Sequence, residues 1–195
     1  IQYLNDEFEY SILGSQYLDN TIWKPAGFFS KKKNIDIKFD KHLTKVDWVV
    51  GCSMLINLKK FKTKKIFDEN FFLFFEEFDL CKRTLINGNL IYSSNKLLVK
   101  HLGFKGSFAS DAKYEIEALK LKNWHYMWSQ FYFNKKYEGI LISYIKGLTS
   151  LLKNFIKILF NILTNNELET IKYKSRFSGL LSSMLAKKSS FRINF

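Results

Sequence analysis

FDENFFLFFEEFDLCKRTLINGNLIYSSNKLLVKH, residues 67–101, carries an aromatic run, a cluster of acids and a helical period in immediate succession. Phe78, Cys81 and Leu85 recur at the spacing of one buried helix face, Asp79 and Arg83 stand four residues apart, and Gly88 is placed to stop the helix. Glu76, Glu77 and Asp79 therefore fall in the first turn. There the unpaired amides and positive end of a helix stabilise carboxylates by about 0.3–1 kcal/mol each. Acids in a first turn are most often solvated caps. Here Phe71, Phe72, Phe74 and Phe75 directly precede them. Aromatic neighbours strip water from a carboxylate and raise its pKa while the helix end lowers it, a balance that can poise a base.

Upstream of this stretch, Val46 to Leu58 is an apolar, β-branched run that reads as a buried strand, with Gly51 where a side chain would obstruct a ligand or a neighbouring backbone. Lys59 to Lys65 (KKFKTKK) reads as a short solvated helix. Residues 19–45, with Pro25, Gly27 and Lys31-Lys32-Lys33, show no sustained apolar period and read as loop. Residues 1–13 carry Ile1, Leu4, Phe8 and Ile12 at helical spacing, a helix end leading into a short strand.

Downstream, Gly103 to Ser107 reads as a flexible loop, residues 111–120 as helix, and 123–137 as an aromatic, basic helix in which His125 is a packing or surface residue. From Gly139 to Leu163, Ser143, Lys146, Gly147, Ser150, Lys153, Asn154, Lys157 and Asn161 form one narrow polar stripe on an apolar helix. Three lysines at regular intervals argue for an interfacial helix over a spanning one. Residues 172–190 repeat the basic and apolar mixture. From Lys135 onward there are 11 basic and 3 acidic residues, so +8 of the chain's net +13 lies in this tail.

The 195 residues suffice for one domain with a second small element, and 47% hydrophobic and 17% aromatic content exclude a disordered chain. Cys52 and Cys81 lack CxxC spacing and read as reduced, buried thiols of a cytosolic protein.

Several motifs in register resemble a known family: Trp48-Val-Val-Gly51-Cys52-Ser53-Met54-Leu55, Phe67-Asp68-Glu69-Asn70-Phe71-Phe72, Phe75-Glu76-Glu77-Phe78-Asp79-Leu80-Cys81-Lys82-Arg83, Gly88, Val99-Lys100-His101 and Gly106-Ser107. Their order is similar to the second half of family 2 glycosyltransferases of the rhamnosyltransferase type, over roughly residues 10 to 134. The resemblance implies an α/β fold: a partial GT-A nucleotide-diphospho-sugar transferase fold with a mixed sheet over 1–134, followed by amphipathic helices over 135–195. It places the donor-binding half, with its acidic metal motif, before Ile1, so this chain alone is expected to be inactive.

What the resemblance implies for the site is an inverting sugar transfer from a nucleotide-sugar donor to a saccharide or lipid-linked saccharide acceptor of the cell envelope. Glu77 matches the second member of the family's acidic pair, the base that takes the acceptor proton, with Glu where the family more often has Asp. Glu76 is its partner in the pair, and Asp79 orients the helix start. Trp48, Gly51, Cys52, Phe72 and Arg83 are expected beside the substrates. His101 is expected to help hold a divalent metal, manganese (Mn2+) or magnesium (Mg2+), on the donor diphosphate. The expected location is cytoplasmic, peripheral to the inner face of the plasma membrane, with the tail on anionic lipid.

Two other classes compete. Net charge +13 and many aromatics fit a nucleic-acid-binding module, but the aromatics sit in apolar runs beside acids rather than among Lys and Arg, so no nucleic-acid partner is expected. A membrane-surface module without chemistry would leave the acids at 76, 77 and 79 without effect on activity.

Overall fold

The computed structural model describes residues 9–19, 22–24, 27, 29, 38–40, 42–63, 65–100 and 112–192. The chain is mixed α/β and divides into two compact units. The first comprises Ile1–Asp68 with Glu77–Leu102, the second Glu69–Glu76 with Gly103–Phe195. The boundary expected at 134/135 falls inside a helix, and the aromatic segment before the acids joins the helical unit.

In the first unit the strands are β1 (Ile12–Asp19), β2 (Ile22–Lys24), β3 (Lys38–Asp40), β4 (Leu43–Lys45), β5 (Met54–Ile56) and β6 (Ile91–Val99). Their order is β2-β1-β6-β4-β3, with β5 also on β1. The sheet is mixed as expected: β1 and β6 run parallel at its centre, and β2, β4 and β5 pair antiparallel with them. Successive strand residues serve opposite faces. Ile12 and Ile91 join Val46, Val49, Leu80 and Cys81 in one core, while the adjacent Leu13 and Tyr92 join Leu43 in another.

Helix α1 (Glu76–Ile86) runs into a Schellman stop. Gly88 adopts φ 74°, its amide donates to Leu85 O (2.9 Å), and Asn89 N donates to Thr84 O (3.1 Å). The Gly88 terminus and the burial of Cys81 follow the sequence reading, while Phe78 and Leu85 are only half-buried and the fully buried face is Asp79, Leu80, Cys81 and Thr84.

Three expectations are corrected. Residues 19–45 contain β2, β3 and β4, each three residues long and held by pairing rather than by any internal period. Val46–Leu58 is a strand only at β5. Before it the chain buries Val46 and Val49 without joining a ladder, makes an isolated bridge from Trp48 to Gly27, and turns at Gly51-Cys52. A Cβ on Gly14 of β1 would overlap the Val49 side chain, so glycine is what admits this close crossing. The basic segment near residue 59 is a single 3-10 turn, Leu58–Lys60, capped by Asn57. The helix expected over residues 1–13 lies mostly outside the described residues, as do Gly103–Ser107.

The second unit contains α2 (Ala112–Glu138), α3 (Ile140–Leu163) and α4 (Glu167–Met184). The two helices expected over 111–137 are one, and α3 matches its expected span. Met127 and Phe131 of α2 bury against Leu180 and Met184 of α4, with Tyr144 and Leu151 of α3 at the edge. Gly179 lies so close to α2 that a Cβ there would overlap the Trp124 carbonyl. Ser183 Oγ donates to Trp128 O (2.9 Å), Arg176 Nε to Asn123 Oδ1 (2.8 Å) and Tyr144 OH to Met184 O (2.6 Å). These bonds satisfy polar groups at helix contacts where water is excluded.

Candidate functional site

The division between the units falls between Glu76 and Glu77, so each acid belongs to its own surroundings. Glu77 is half-buried at the start of α1, against the turn at Gly51 and Cys52. A methyl group on Gly51 would sit 3.5–3.7 Å from the Cβ, Cγ and Cδ of Glu77, ordinary van der Waals contact. The expected reason for glycine at 51 is thus revised: its near neighbour in this unit is the candidate base itself, and the position is exposed.

Cys52 beside it is exposed, which corrects the expectation of two buried thiols. Its thiol is pushed up by the burial it has and, to a lesser degree, by the negative charge of Glu77. Trp48, one turn of chain earlier, is half-buried and meets Phe78 with ring centroids 4.8 Å apart; Phe29 completes this aromatic group at 6.2 Å from Phe78. Glu77 therefore has Gly51, Cys52 and Trp48 gathered in its own unit, three of the residues expected beside the substrates.

Asp79 and Arg83 do different work. Asp79 is fully buried, and its Oδ2 accepts from Arg83 Nε at 2.8 Å. Arg83 Nη2 also donates to Ile66 O at 2.6 Å. The i,i+4 pair read from sequence is present, and it braces the first turn of α1 to the chain at Ile66. The two charged groups are engaged with each other, as suits the orienting part expected of Asp79, and the Arg83 side chain keeps 28% exposure.

The phenylalanine run has its identified ring partners in the helical unit. Phe71 meets Tyr132 at 5.0 Å, Phe72 meets His125 at 4.8 Å, Phe74 meets Tyr126 at 5.8 Å, and Phe75 meets Phe133 at 5.4 Å, all within the helical unit. Phe72, expected beside the substrates, has the Arg192 guanidinium 3.4 Å from its ring centroid. The aromatic group identified within the unit of Glu77 is Trp48, Phe78 and Phe29 instead.

Phe74 and Phe75 have φ 65° and 69°, left-handed values that cost bulky residues about 1–3 kcal/mol each and gather at functional sites. Nothing in the sequence announces them, since the usual signal is glycine or asparagine. They are followed by Glu76, whose buried Oε2 has no hydrogen-bond partner among the described residues. Such an oxygen is uncommon in a folded chain.

His101 lies outside the described residues. β6 ends at Val99, so the strand expected just before it is present. Among the described residues no group of three or more His, Cys, Asp and Glu side chains gathers as a metal site. His125 is a fully buried packing residue: Nε2 donates to Phe191 O at 2.8 Å, Nδ1 lies 3.0 Å from Ser189 Oγ, and burial lowers its pKa.

Cys81 provides a pH test of this core. Burial, with Glu77 nearby, pushes its thiol from 9.0 up to about 12. The folded chain then holds a proton that the unfolded chain releases, so stability is full below pH 9.0 and declines as pH rises toward 12. Urea midpoints across this range should fall, and Cys81→Ala should remove up to about 1.4 kcal/mol per pH unit of that slope. An unchanged slope in the variant would refute the assignment.

Comparisons of the chain with protein-family models, with curated proteins and with solved structures returned no significant match.

Proposed function

We propose that this chain is the acceptor-side part of an inverting glycosyltransferase of the GT-A type, with Glu77 as the base. The observation that carries the proposal is the placement of Glu77 against the Gly51-Cys52 turn, with α1 braced from behind by Asp79 and Arg83. The resemblance to family 2 enzymes supports the same reading through the same residues.

In this reading the acceptor hydroxyl gives its proton to a Glu77 carboxylate oxygen as its own oxygen attacks the anomeric carbon of the donor. The new glycosidic bond forms as the bond from that carbon to the diphosphate breaks, and the nucleoside diphosphate leaves with the bonding electrons. Glu77 is half-buried with its Oε2 buried, and as the base it would take the acceptor proton within hydrogen-bond reach of the hydroxyl. Trp48 offers a ring against which a sugar can stack. A divalent metal bound to the donor diphosphate would stabilise the charge of the leaving group, with His101 as its proposed ligand from this chain.

The test is a screen of nucleotide-sugar donors on the protein expressed from its complete reading frame, with saccharide acceptors and with or without manganese. Transfer from one donor supports the proposal. Absence of both donor turnover and donor binding would overturn it.

A further inference from the structure

Helix α3 turns several of its small residues inward. Ser143, Gly147, Asn154 and Asn161 are its buried residues, while Leu141 and Leu163 are 75% and 83% exposed and Leu148, Leu152, Phe155 and Leu159 are exposed between them. The inward face tolerates burial because its polar groups bond to their own helix. Ser143 Oγ donates to Ile140 O (2.7 Å), and Asn161 Nδ2 donates to Lys157 O (2.7 Å). The outward leucines lose the hydrophobic stabilisation that the core would give them. An exposed apolar face of this extent marks an interaction surface.

Charge distinguishes the possible occupants. At about 100° per residue, the exposed apolar side chains fill an arc of about 200°, and Lys153, Lys146 and Lys157 follow one another along a single flank of it. Helix α3 contains no acidic residue. Lys146 reaches Glu138 (2.6 Å) and Lys157 lies over Tyr173 (5.3 Å), so the row is held by neighbours that leave it at the edge of the apolar arc. A second copy docked antiparallel by the same face would bring the two lysine flanks side by side across a two-fold axis, adding to a tail already at net +8. An anionic lipid surface matches both features: acyl chains for the leucines and phosphates for the lysines. No helix among the described residues is long and apolar enough to cross a membrane.

We propose that α3 docks lengthwise on an anionic bilayer, its 24 residues lying in the membrane plane with Leu148 and Leu152 in the acyl boundary and Lys146, Lys153 and Lys157 at the headgroups. The docking stands apart from sugar transfer, because neither Glu77 nor a donor takes part in it.

Co-sedimentation of the full chain with phosphatidylcholine vesicles, with and without phosphatidylglycerol, tests the proposal. Binding should require phosphatidylglycerol and weaken as salt is raised. Lys153→Glu with Lys157→Glu should lower affinity by about tenfold or more. Leu148→Glu with Leu152→Glu should abolish binding while the helical circular dichroism is kept, since both side chains are exposed. Equal binding by the leucine variant, or no binding to phosphatidylglycerol vesicles, would overturn the proposal. So would a dimer in ultracentrifugation that the leucine variant disperses while the wild-type chain ignores vesicles; that result would assign the face to a second copy.

Discussion

Glu77→Gln should keep the fold and lower the rate of sugar transfer by about 10²- to 10⁴-fold, the usual contribution of a positioned general base. Glutamine preserves the shape that lies against Gly51 and removes the proton-accepting oxygen. If Glu77 acts only on the acceptor proton, kcat should fall while the donor KM stays within a few-fold, because donor binding does not use this oxygen. The pH profile distinguishes the base from a packing residue: the acidic limb of kcat/KM in the wild-type protein should be absent in the variant. Turnover near the wild-type level would remove Glu77 from this role. Glu76→Gln, made in parallel, checks the neighbouring acid, and a full loss there with Glu77→Gln active would move the base by one residue.

Asp79→Ala should destabilise the protein by about 3–5 kcal/mol, toward the lower figure because the Arg83 side chain retains 28% exposure. The substitution leaves Arg83 with a half-buried charge and releases the brace between α1 and Ile66. Removing both charges, as in Asp79→Leu with Arg83→Met, should recover much of the loss, since a pair replaced by apolar groups leaves no uncompensated charge. Urea unfolding at neutral pH measures both variants. A loss below about 1 kcal/mol in Asp79→Ala would show that the pair is dispensable. Transfer activity adds a second reading: a positioning role predicts that the double variant regains a substantial part of its activity along with its stability.

Helix α1 was legible because three independent local signals agree there. The acids mark its start, the apolar period through Cys81 its helical character, and Gly88 its end, although the buried face centres on Leu80, Cys81 and Thr84 rather than on Phe78 and Leu85. Strands β2, β3 and β4 were not legible, since three residues hold too little of a period, and β4 is fixed in the sheet by β6, about fifty residues further along the chain. The Val46–Leu58 run shows the opposite error. Val46 and Val49 are buried, as their chemistry demands, but that burial is met by packing rather than by a ladder.

The stripe on α3 was legible as a stripe, and its direction was not. Serine, glycine and asparagine are small enough to be buried and can bond to their own helix, so polarity alone does not point them outward. At the candidate site, the nearness of Glu77 to Gly51 was not legible, because no local rule joins a turn at 51 to a helix beginning at 76. The left-handed Phe74 and Phe75 had no sequence signal at all. The phenylalanine run was read as a wall for the acids because it adjoins them in sequence; its identified ring partners lie on α2.

Proton NMR of the anomeric signal, followed as the protein expressed from its complete reading frame consumes a nucleotide-sugar donor in the presence of a saccharide acceptor, tests the central claim most directly. A single displacement assisted by Glu77 predicts a product whose anomeric configuration is opposite to that of the donor, formed only when acceptor is present. A product of retained configuration, or a donor signal unchanged by the protein, would contradict it.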